Sequence, residues 1–449
     1  MDSVLYYIWL SLRLGAGSEA PSFLLTHFSS PKEIYEADAA ALEKVLPGRH
    51  GMIATLCDKD LDTAKKVFEY CQRANVGIIT LDSAIYPERL RSIHAKPIVL
   101  YYKGSMPNID EHVLISCVGT RKCSDKGMRL AYKLGADIAD AGAIVVSGMA
   151  LGVDSMCARG ALSVKGHTIA VLGCGIDRVY PQENKELMKA IIENGTVITE
   201  YAPGMVPNGK HFPVRNRIIS GLSLGTVVVE AGKGSGALIT AEHARKQGRD
   251  VFAFPGDVDN QFCAGTNELI SDGAKMVRCA ADILVEYEGL WHKRIFTGNI
   301  KKNKYYTGED LPPEAPVTVK EYSAEAAKKR TAPKASAPAA IVNGEPRVTQ
   351  EEFVRAKAEA ERRDVFEEVF DFSKLNLAPE TRDFTGITDY EKMVWEHING
   401  VMTSDEIAQS IGKATGEPAD LGAVLSALTT LEIEGYCESM PGGLFKRLD

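Results

Sequence analysis

Short apolar runs rich in valine and isoleucine alternate with longer amphipathic stretches between residues 76 and 292. Eight of these runs have the length of strands, at residues 77–81, 98–101, 114–118, 143–146, 168–172, 196–199, 226–229 and 251–254. Because the runs are apolar on both faces and are separated by helical stretches, they predict a mostly parallel sheet covered by helices on both sides. Residues 76–292 are therefore predicted to form a doubly wound α/β domain.

The two ends of the chain have a different pattern. Residues 1–75 contain short helical stretches, which indicate a small all-helical domain that either binds a partner or only packs. Residues 386–449 contain three predicted helices, the second starting with a capping-box pattern at residues 403–406, and then two short strands. Three helices followed by a hairpin predict a winged helix.

Residues 293–385 are predicted to form a flexible linker. Their centre, residues 332–340, is rich in alanine and proline and has little apolar surface to bury. Residues 350–370 have the pattern of a charged helix. A disordered tether with one transient helix is favoured over a functional basic arm.

Composition narrows the class of protein. The 449 residues are 45% hydrophobic and carry a net charge of −8, so any nucleic-acid site must be a local basic patch. The nine cysteines contain no CxxC pair, which argues against a zinc site and favours reduced thiols in the cytoplasm. No apolar stretch approaches the roughly 20 residues needed to span a membrane, and no signal peptide is recognised.

Three glycine-containing loops, at residues 118–124, 147–154 and 232–240, each connect a predicted strand to a predicted helix. At the carboxyl edge of an α/β sheet such loops let backbone N–H groups approach an anion closely. The first loop adds the guanidinium of Arg121 and the hydroxyl of Ser124, which can also cap a helix. Any one loop has an equally good steric explanation, but three on one edge predict a phosphate-binding site.

A fourth segment, residues 209–217, combines three cations with an aromatic ring, namely Lys210, Phe212, Arg215 and Arg217. Cations that position phosphates beside a ring that can stack on a base are typical of a groove for single-stranded nucleic acid. The alternative is purely structural, with the two arginines paired to Glu200 and Glu230. The pattern alone leaves both interpretations open.

The sequence gives little support for catalysis. No GxGxxG or GxxxxGK[ST] motif is present, so neither a dinucleotide nor a magnesium–nucleotide site is indicated. The candidate carboxylates lack the spaced partner that general acid–base chemistry needs; they are Asp154, Glu200 and Glu230. We therefore expect a protein that is not an enzyme and that holds no metal or cofactor.

A series of ordered motifs resembles the DNA processing protein A family (DprA, also called Smf). The motifs are Tyr86-Pro87, residues 97–104, 118–121 with Ser124, 146–148, 152–154, 168–173, Tyr180-Pro181, 199–201, 212–219, Ser235-Gly236 with Thr240, and 254–256. The resemblance covers roughly residues 76–290 and implies a Rossmann-like core. It also implies a sterile-alpha-motif-like (SAM-like) domain at the N-terminus and a winged helix at the C-terminus.

The resemblance further implies binding of single-stranded DNA without strong sequence preference, homodimerisation through the core, and loading of the RecA recombinase during transformation. The DNA- and phosphate-binding residues that it implies are Gly119, Thr120, Arg121, Ser124, Ser147, Gly148, Gly152, Asp154, Lys210, Phe212, Arg215, Asn216, Arg217, Ser235, Gly236 and Thr240. Two positions depart from the family. The family frequently has Leu or Phe at the position of Met149, and Arg at the position of Leu151.

Two other functions compete with this one. The first is a nucleotide-processing enzyme of the phosphoribohydrolase type, but residues 232–240 lack that group's PGGxGTxxE glutamate, and Ile239 stands near its position. The second is a duplex-binding regulator acting through the winged helix. Its presumed recognition helix, residues 421–433, contains no Lys or Arg and carries Glu432, which favours contact with a protein.

Overall fold

The computed structural model describes residues 2–291, 293–296, 298, 306–307, 310–312, 389–398, 401–415, 419–433, 437–440 and 444–447. The chain forms two compact units, Met1–Leu377 and Ala378–Asp449. The charged helix predicted at residues 350–370, and most of the predicted linker, lie outside the described residues. In the part of the chain that is described, no helix is both long enough and apolar enough to cross a membrane.

Short helices form the N-terminal part of the first unit. They are α1 (Asp2–Leu14), α2 (Ala20–His27), α3 (Pro31–Glu36), α4 (Ala39–Val45), α5 (His50–Cys57) and α6 (Asp62–Arg73). Side-chain caps start two of them, since Ser30 accepts from Glu33 N–H and Asp38 accepts from Ala41 N–H. Their apolar residues belong to one hydrophobic cluster with residues of the following sheet. The boundary at residue 75 and the SAM-like assignment remain predictions.

Nine strands of the described residues form one sheet. They are β1 (Gly77–Thr80), β2 (Val99–Gly104), β3 (Leu114–Val118), β4 (Ile144–Ser147), β5 (Thr168–Val171), β6 (Thr196–Thr199), β7 (Gly225–Val228), β8 (Asp250–Ala253) and β9 (Lys275–Met276). Their order is β1-β2-β6-β5-β4-β3-β7-β8-β9. Along the sheet, β6, β5, β4, β3, β7, β8 and β9 pair in parallel, whereas β2 runs antiparallel to both of its neighbours, β1 and β6. The predicted mostly parallel sheet is confirmed.

Helices cover both faces of this sheet. They are α7 (Glu88–Arg91), α8 (Asp125–Asp140), α9 (Val153–Ser163), α10 (Lys185–Asn194), α11 (His211–Leu222), α12 (Gly236–Lys246), α13 (Ala264–Ser271) and α14 (Ala280–Trp291). Successive side chains of a strand point to opposite faces. In β3, accordingly, Ile115 and Cys117 pack with α8, α9 and α14, while Leu114 and Val118 pack with α11 and α12.

The described residues of the second unit form α15 (Asp389–Glu396), β10 (Val401–Thr403), α16 (Ser404–Thr415), α17 (Leu421–Ile433), β11 (Cys437–Met440) and β12 (Leu444–Arg447). The strands pair antiparallel in the order β10-β12-β11. The capping box is present, because Glu406 N–H donates to Thr403 Oγ1 (3.2 Å) and Thr403 N–H donates to Glu406 Oε2 (2.8 Å). The winged-helix assignment of this unit remains a prediction.

Candidate functional site

The carboxyl edge of the sheet opens into a cleft of about 630 Å³ between the β3–α8 loop, the β4–α9 loop and the first turns of α11 and α12. Ten of the residues singled out from the sequence line it: Gly119, Thr120, Arg121, Asp154, Phe212, Arg215, Asn216, Ser235, Gly236 and Thr240. The others lie in the same loops or helices without lining the cleft: Ser124, Ser147, Gly148, Gly152, Lys210 and Arg217. The structure therefore brings the predicted loops together, while their roles in binding DNA remain predictions.

Close backbone packing explains two of the loop glycines. A Cβ atom at Gly119 would lie 2.8 Å from the carbonyl oxygen of Glu230, and one at Gly152 would overlap the carbonyl of Thr120. Gly152 also has φ +77°, which favours glycine. The N–H of Thr120 donates to the carbonyl of Glu230 (2.7 Å), so the β3–α8 and β7–α12 loops are in direct contact.

Glu230 fixes the start of α8. Its carboxylate accepts from the Ser124 hydroxyl (2.6 Å) and from the Ser124 N–H (2.9 Å). The Ser124 hydroxyl oxygen in turn accepts from Gly127 N–H (2.9 Å), as expected of the predicted N-cap. Both groups of Ser124 are thus used within the protein, which orients the loop that carries Arg121.

Buried polar contacts connect the β4–α9 loop to α11. The carboxylate of Asp154 accepts from Gly148 N–H (2.9 Å), and Arg215 Nη1 donates to the carbonyls of Gly148 (3.0 Å) and Val171. Burial raises the pKa of Asp154, while the charge of Arg215 opposes that shift. Burial likewise lowers the pKa of Arg215. This arginine is almost fully buried, and its hydrogen bond to the Gly148 carbonyl holds the loop at the cleft wall.

Arg217 faces away from the cleft. Its Nη2 donates to both carboxylate oxygens of Glu200 (2.8 and 2.9 Å), and its Nε donates to the carbonyl of Ala95 (3.0 Å). Only 5% of the Arg217 side chain is exposed. For Arg217 the structure shows the ion pair with Glu200 that the sequence left open. Arg215, by contrast, lies beside Asp154 and not beside Glu230.

Arg121 is an exposed cation of the cleft, and it lies against an aromatic pair. Its guanidinium carbon is 5.4 Å from the ring centroid of Phe212, and the Phe212 ring stacks on Tyr180 with centroids 5.2 Å apart and an interplanar angle of 27°. Within residues 2–291 Arg121 has no salt bridge. Lys122 lines the same wall, and exposed Lys210 precedes the first turn of α11.

The sequence did not indicate Tyr180 and Asn208 as lining residues. Lys122 and Gly209, which also line the cleft, lie inside the predicted 118–124 loop and 209–217 segment but were not given a role of their own. Tyr180 follows β5, whose carboxyl end lies on the same edge as those of β3 and β4, so the edge rule pointed to this loop. The connection from β5 to α10 is longer than the glycine loops, however, and the sequence alone does not show which of its residues reaches the cleft.

The N-terminus of α12 forms the last wall. Ser235 caps this helix by accepting from Ala237 N–H (3.4 Å), and Gly236 and Thr240 follow on the cleft side. Asn216 of α11 donates to the Gly236 carbonyl (3.4 Å), which connects the two helices. The start of an 11-residue helix offers N–H groups and a partial positive charge to an anion.

The three candidate carboxylates named from the sequence are engaged within the protein. Asp154 is held by Gly148 and Arg215, Glu230 by Ser124, and Glu200 by Arg217. Among the described residues, no group of three or more His, Cys, Asp or Glu side chains is arranged to hold a metal ion. The described cleft therefore presents cations, backbone N–H groups and aromatic rings to a ligand.

Residues 77–288 match the family model described as DNA recombination-mediator protein A. DNA processing protein DprA of Streptococcus pneumoniae is 41% identical over 203 residues, which are 45% of this chain and 71% of that protein. DprA of Bacillus subtilis is 38% identical over 221 residues, 49% of this chain and 74% of that protein. The X-ray structure of S. pneumoniae DprA superposes with a TM-score of 0.56 at 32% identity, covering 63% of this chain and 97% of that one.

Proposed function

Because the chain belongs to the DNA processing protein A family, we propose that it binds single-stranded DNA in the cleft, largely without regard to base sequence. The observation that carries the proposal is the exposed Arg121 guanidinium lying against the Phe212 and Tyr180 rings. A cation for the phosphate beside rings for the base fits an unpaired strand, whose bases are free to stack. The residues 118–124 loop and the α12 N-terminus extend the phosphate-binding edge.

We propose further that the protein binds the strand without chemically changing it. The support is that Asp154, Glu200 and Glu230 are each committed to hydrogen bonds or ion pairs that hold the fold together. A general base needs a carboxylate positioned toward the substrate. Incubation with oligo-dT or nucleoside monophosphates should therefore release neither base nor phosphate.

The binding proposal is tested by measuring oligo-dT affinity against salt concentration. Replacing Arg121 with alanine should weaken binding and reduce the slope of log K against log[salt] by about 0.7, the value for one lost phosphate contact on a single strand. Lys210→Ala should act in the same direction. Lys65→Ala, which removes an exposed cation of α6 outside the cleft, is the matched control. Unchanged binding by both cleft variants would refute the proposal.

The recombination role is the finer part of the proposal. We propose that the protein delivers its bound strand to the RecA recombinase and works as a homodimer in the cytoplasm. The name of the matching family model, DNA recombination-mediator protein A, supports the mediator role. Adding the protein to DNA coated with single-strand-binding protein should shorten the lag before RecA hydrolyses ATP. Arg121→Ala should restore the lag, and an equal lag with and without the protein would exclude loading.

A further inference from the structure

Two aromatic rings line the cleft, and their surroundings differ. Phe212 has Tyr180 stacked on it, the guanidinium of Arg121 at 5.4 Å, and that of Arg215 at 5.9 Å from its centroid. The backbone also approaches this ring, because a Cβ at Gly173 would lie 2.8 Å from its Cδ1 atom. The Phe212 ring is therefore already surrounded by protein groups.

Tyr180 is the more accessible of the two rings. It is 40% exposed, and its described ring contact is the one with Phe212. The adjoining turn is fixed at the cleft wall, since Asn184 Nδ2 donates to the carbonyl of Met149 in the β4–α9 loop (2.9 Å). A ring held on one side and open on the other is suited to receive a planar ligand group.

We propose that Tyr180 is the base-stacking residue of the cleft, and that Phe212 is a positioning residue that supports Tyr180 on one side and contacts Arg121 on another. The ligand group is an unpaired nucleobase, stacked on Tyr180 while the neighbouring phosphate meets Arg121. The sequence pattern around residues 209–217 predicts this stacking role for Phe212 instead. The assignment of Tyr180 rests on the proposed binding of single-stranded DNA, and it identifies the residue whose contribution to affinity depends on a base being present.

Affinity measurements on two ligands test the assignment, using the full chain with oligo-dT and with an abasic oligonucleotide of equal length. Stacking of one base is worth about 1–3 kcal/mol, so Tyr180→Ala should weaken oligo-dT binding by about 5- to 150-fold. The abasic strand should bind wild type and Tyr180→Ala equally. Tyr180→Phe should keep its affinity for oligo-dT within about twofold, whereas Tyr180→Leu should lose affinity as alanine does.

A matched control and a spectroscopic readout separate stacking from a structural role. Phe23→Ala removes a ring of similar exposure, 45%, from α2 outside the cleft and should leave binding unchanged. A 2-aminopurine base in the bound oligonucleotide should be quenched by wild type and by Tyr180→Phe, and not by Tyr180→Leu. Equal losses on oligo-dT and on the abasic strand would overturn the assignment.

The test also distinguishes this inference from the proposed function. If wild type binds oligo-dT and Arg121→Ala does not, while Tyr180→Ala binds normally, then the cleft binds DNA and the assignment of Tyr180 is wrong. If wild type fails to bind oligo-dT at all, the proposed function itself is wrong. If Tyr180→Ala loses affinity for oligo-dT and keeps its affinity for the abasic strand, the result supports both the proposed function and the assignment of Tyr180.

Discussion

The arginines around the cleft show how differently one residue type is used. Arg215 and Arg217 are both buried, and each is bonded to backbone carbonyls and lies beside one carboxylate. Desolvating a cation is expensive, and such a pair is tolerated because its hydrogen bonds are made inside the protein. Arg121, which has no salt bridge within residues 2–291, is the guanidinium that can exchange water for a phosphate.

Removing the buried Arg217 should destabilise the fold strongly. Arg217→Met leaves the Glu200 carboxylate buried without its counter-charge, and the expected loss is about 3–5 kcal/mol of unfolding free energy. Arg121→Met is the control and should change stability by less than about 0.5 kcal/mol, because that side chain is exposed. Urea unfolding followed by circular dichroism measures both. Similar midpoints for the two variants would contradict the burial of the Arg217–Glu200 pair.

His167 should make stability depend on pH below neutrality. Burial lowers the pKa of its imidazole from 6.5 to about 4, with a smaller effect from His112. The unfolded chain binds this proton at a higher pH than the folded protein does. The free energy of unfolding is therefore highest above pH 6.5, falls as the pH drops from 6.5 to about 4, and changes no further from this group below about 4. Between pH 8 and pH 5 the loss should be about 2 kcal/mol.

The comparison with His167→Gln isolates this effect. Glutamine keeps a hydrogen-bonding group near Thr196, the partner of His167 Nε2 (3.0 Å), and it does not titrate. Urea unfolding at pH 8, 6.5 and 5 should therefore give a flatter stability profile for the variant. Parallel profiles for the two proteins would show that His167 keeps its ordinary pKa in the fold.

At the scale of elements, α11 is held from the side of the N-terminal helices. Gly17, in the loop between α1 and α2, donates its N–H to Glu200 (3.3 Å), the carboxylate that also binds Arg217 of α11. A Cβ at Gly17 would overlap the Cγ1 atom of Val214 on the first turn of the same helix. The first turn of α11 carries the cleft residues, so this loop contributes to the position of the cleft wall.

Two glycines of this loop provide a matched pair of variants. Gly15 and Gly17 have φ +76° and +78°, so alanine costs backbone strain at both, on the order of 1–2 kcal/mol. Only Gly17→Ala also presses on Val214, and overpacking should add about 1–3 kcal/mol. Adding Val214→Ala should remove that excess. Equal urea midpoints for Gly15→Ala and Gly17→Ala would show that the loop does not restrain α11.

The strands of the sheet were largely predictable because burial on both faces gives each strand a continuous apolar run. The eight apolar runs correspond to β1–β8, and Ser124 caps α8 as expected. The antiparallel direction of β2 was not predicted, since a run of buried residues has the same pattern in either direction. The two-residue strand β9 was missed because Lys275 and Met276 are exposed and give no apolar pattern.

The candidate site was predictable to the level of loops and not to the level of contacts. Glycine between a strand and a helix identified the three loops that meet at the cleft. The pattern did not show which cation of residues 209–217 is buried, because a charge pairs with residues distant in sequence, such as Glu200 and Asp154. Tyr180 was missed as a site residue for the same reason, since its neighbour Phe212 lies in another element.

At the scale of the whole molecule, the N-terminal helices and the sheet share a hydrophobic cluster. Trp9 and Leu10 of α1 belong to the same buried cluster as Tyr101 of β2 and Leu172 after β5. Tyr306, which follows α14, also belongs to the first unit. Its ring stacks on that of Phe254, and its hydroxyl donates to Asp137 (2.7 Å). The first unit thus extends on both sides of residues 77–288, the part matched by the family model.

This shared cluster predicts that the matched segment is not stable by itself. In a fragment of residues 77–312, the cluster that includes Val99, Tyr101 and Leu172 would lose its members from α1 to α6, and each fully buried apolar side chain that becomes exposed is worth about 1.5–3 kcal/mol. That sum approaches the roughly 5–15 kcal/mol of net stability that a native protein has. Calorimetry should therefore show a melting temperature more than about 10 °C below that of residues 1–312, together with binding of a hydrophobic dye. If both fragments melt within about 2 °C of each other, the N-terminal helices would be dispensable for the sheet.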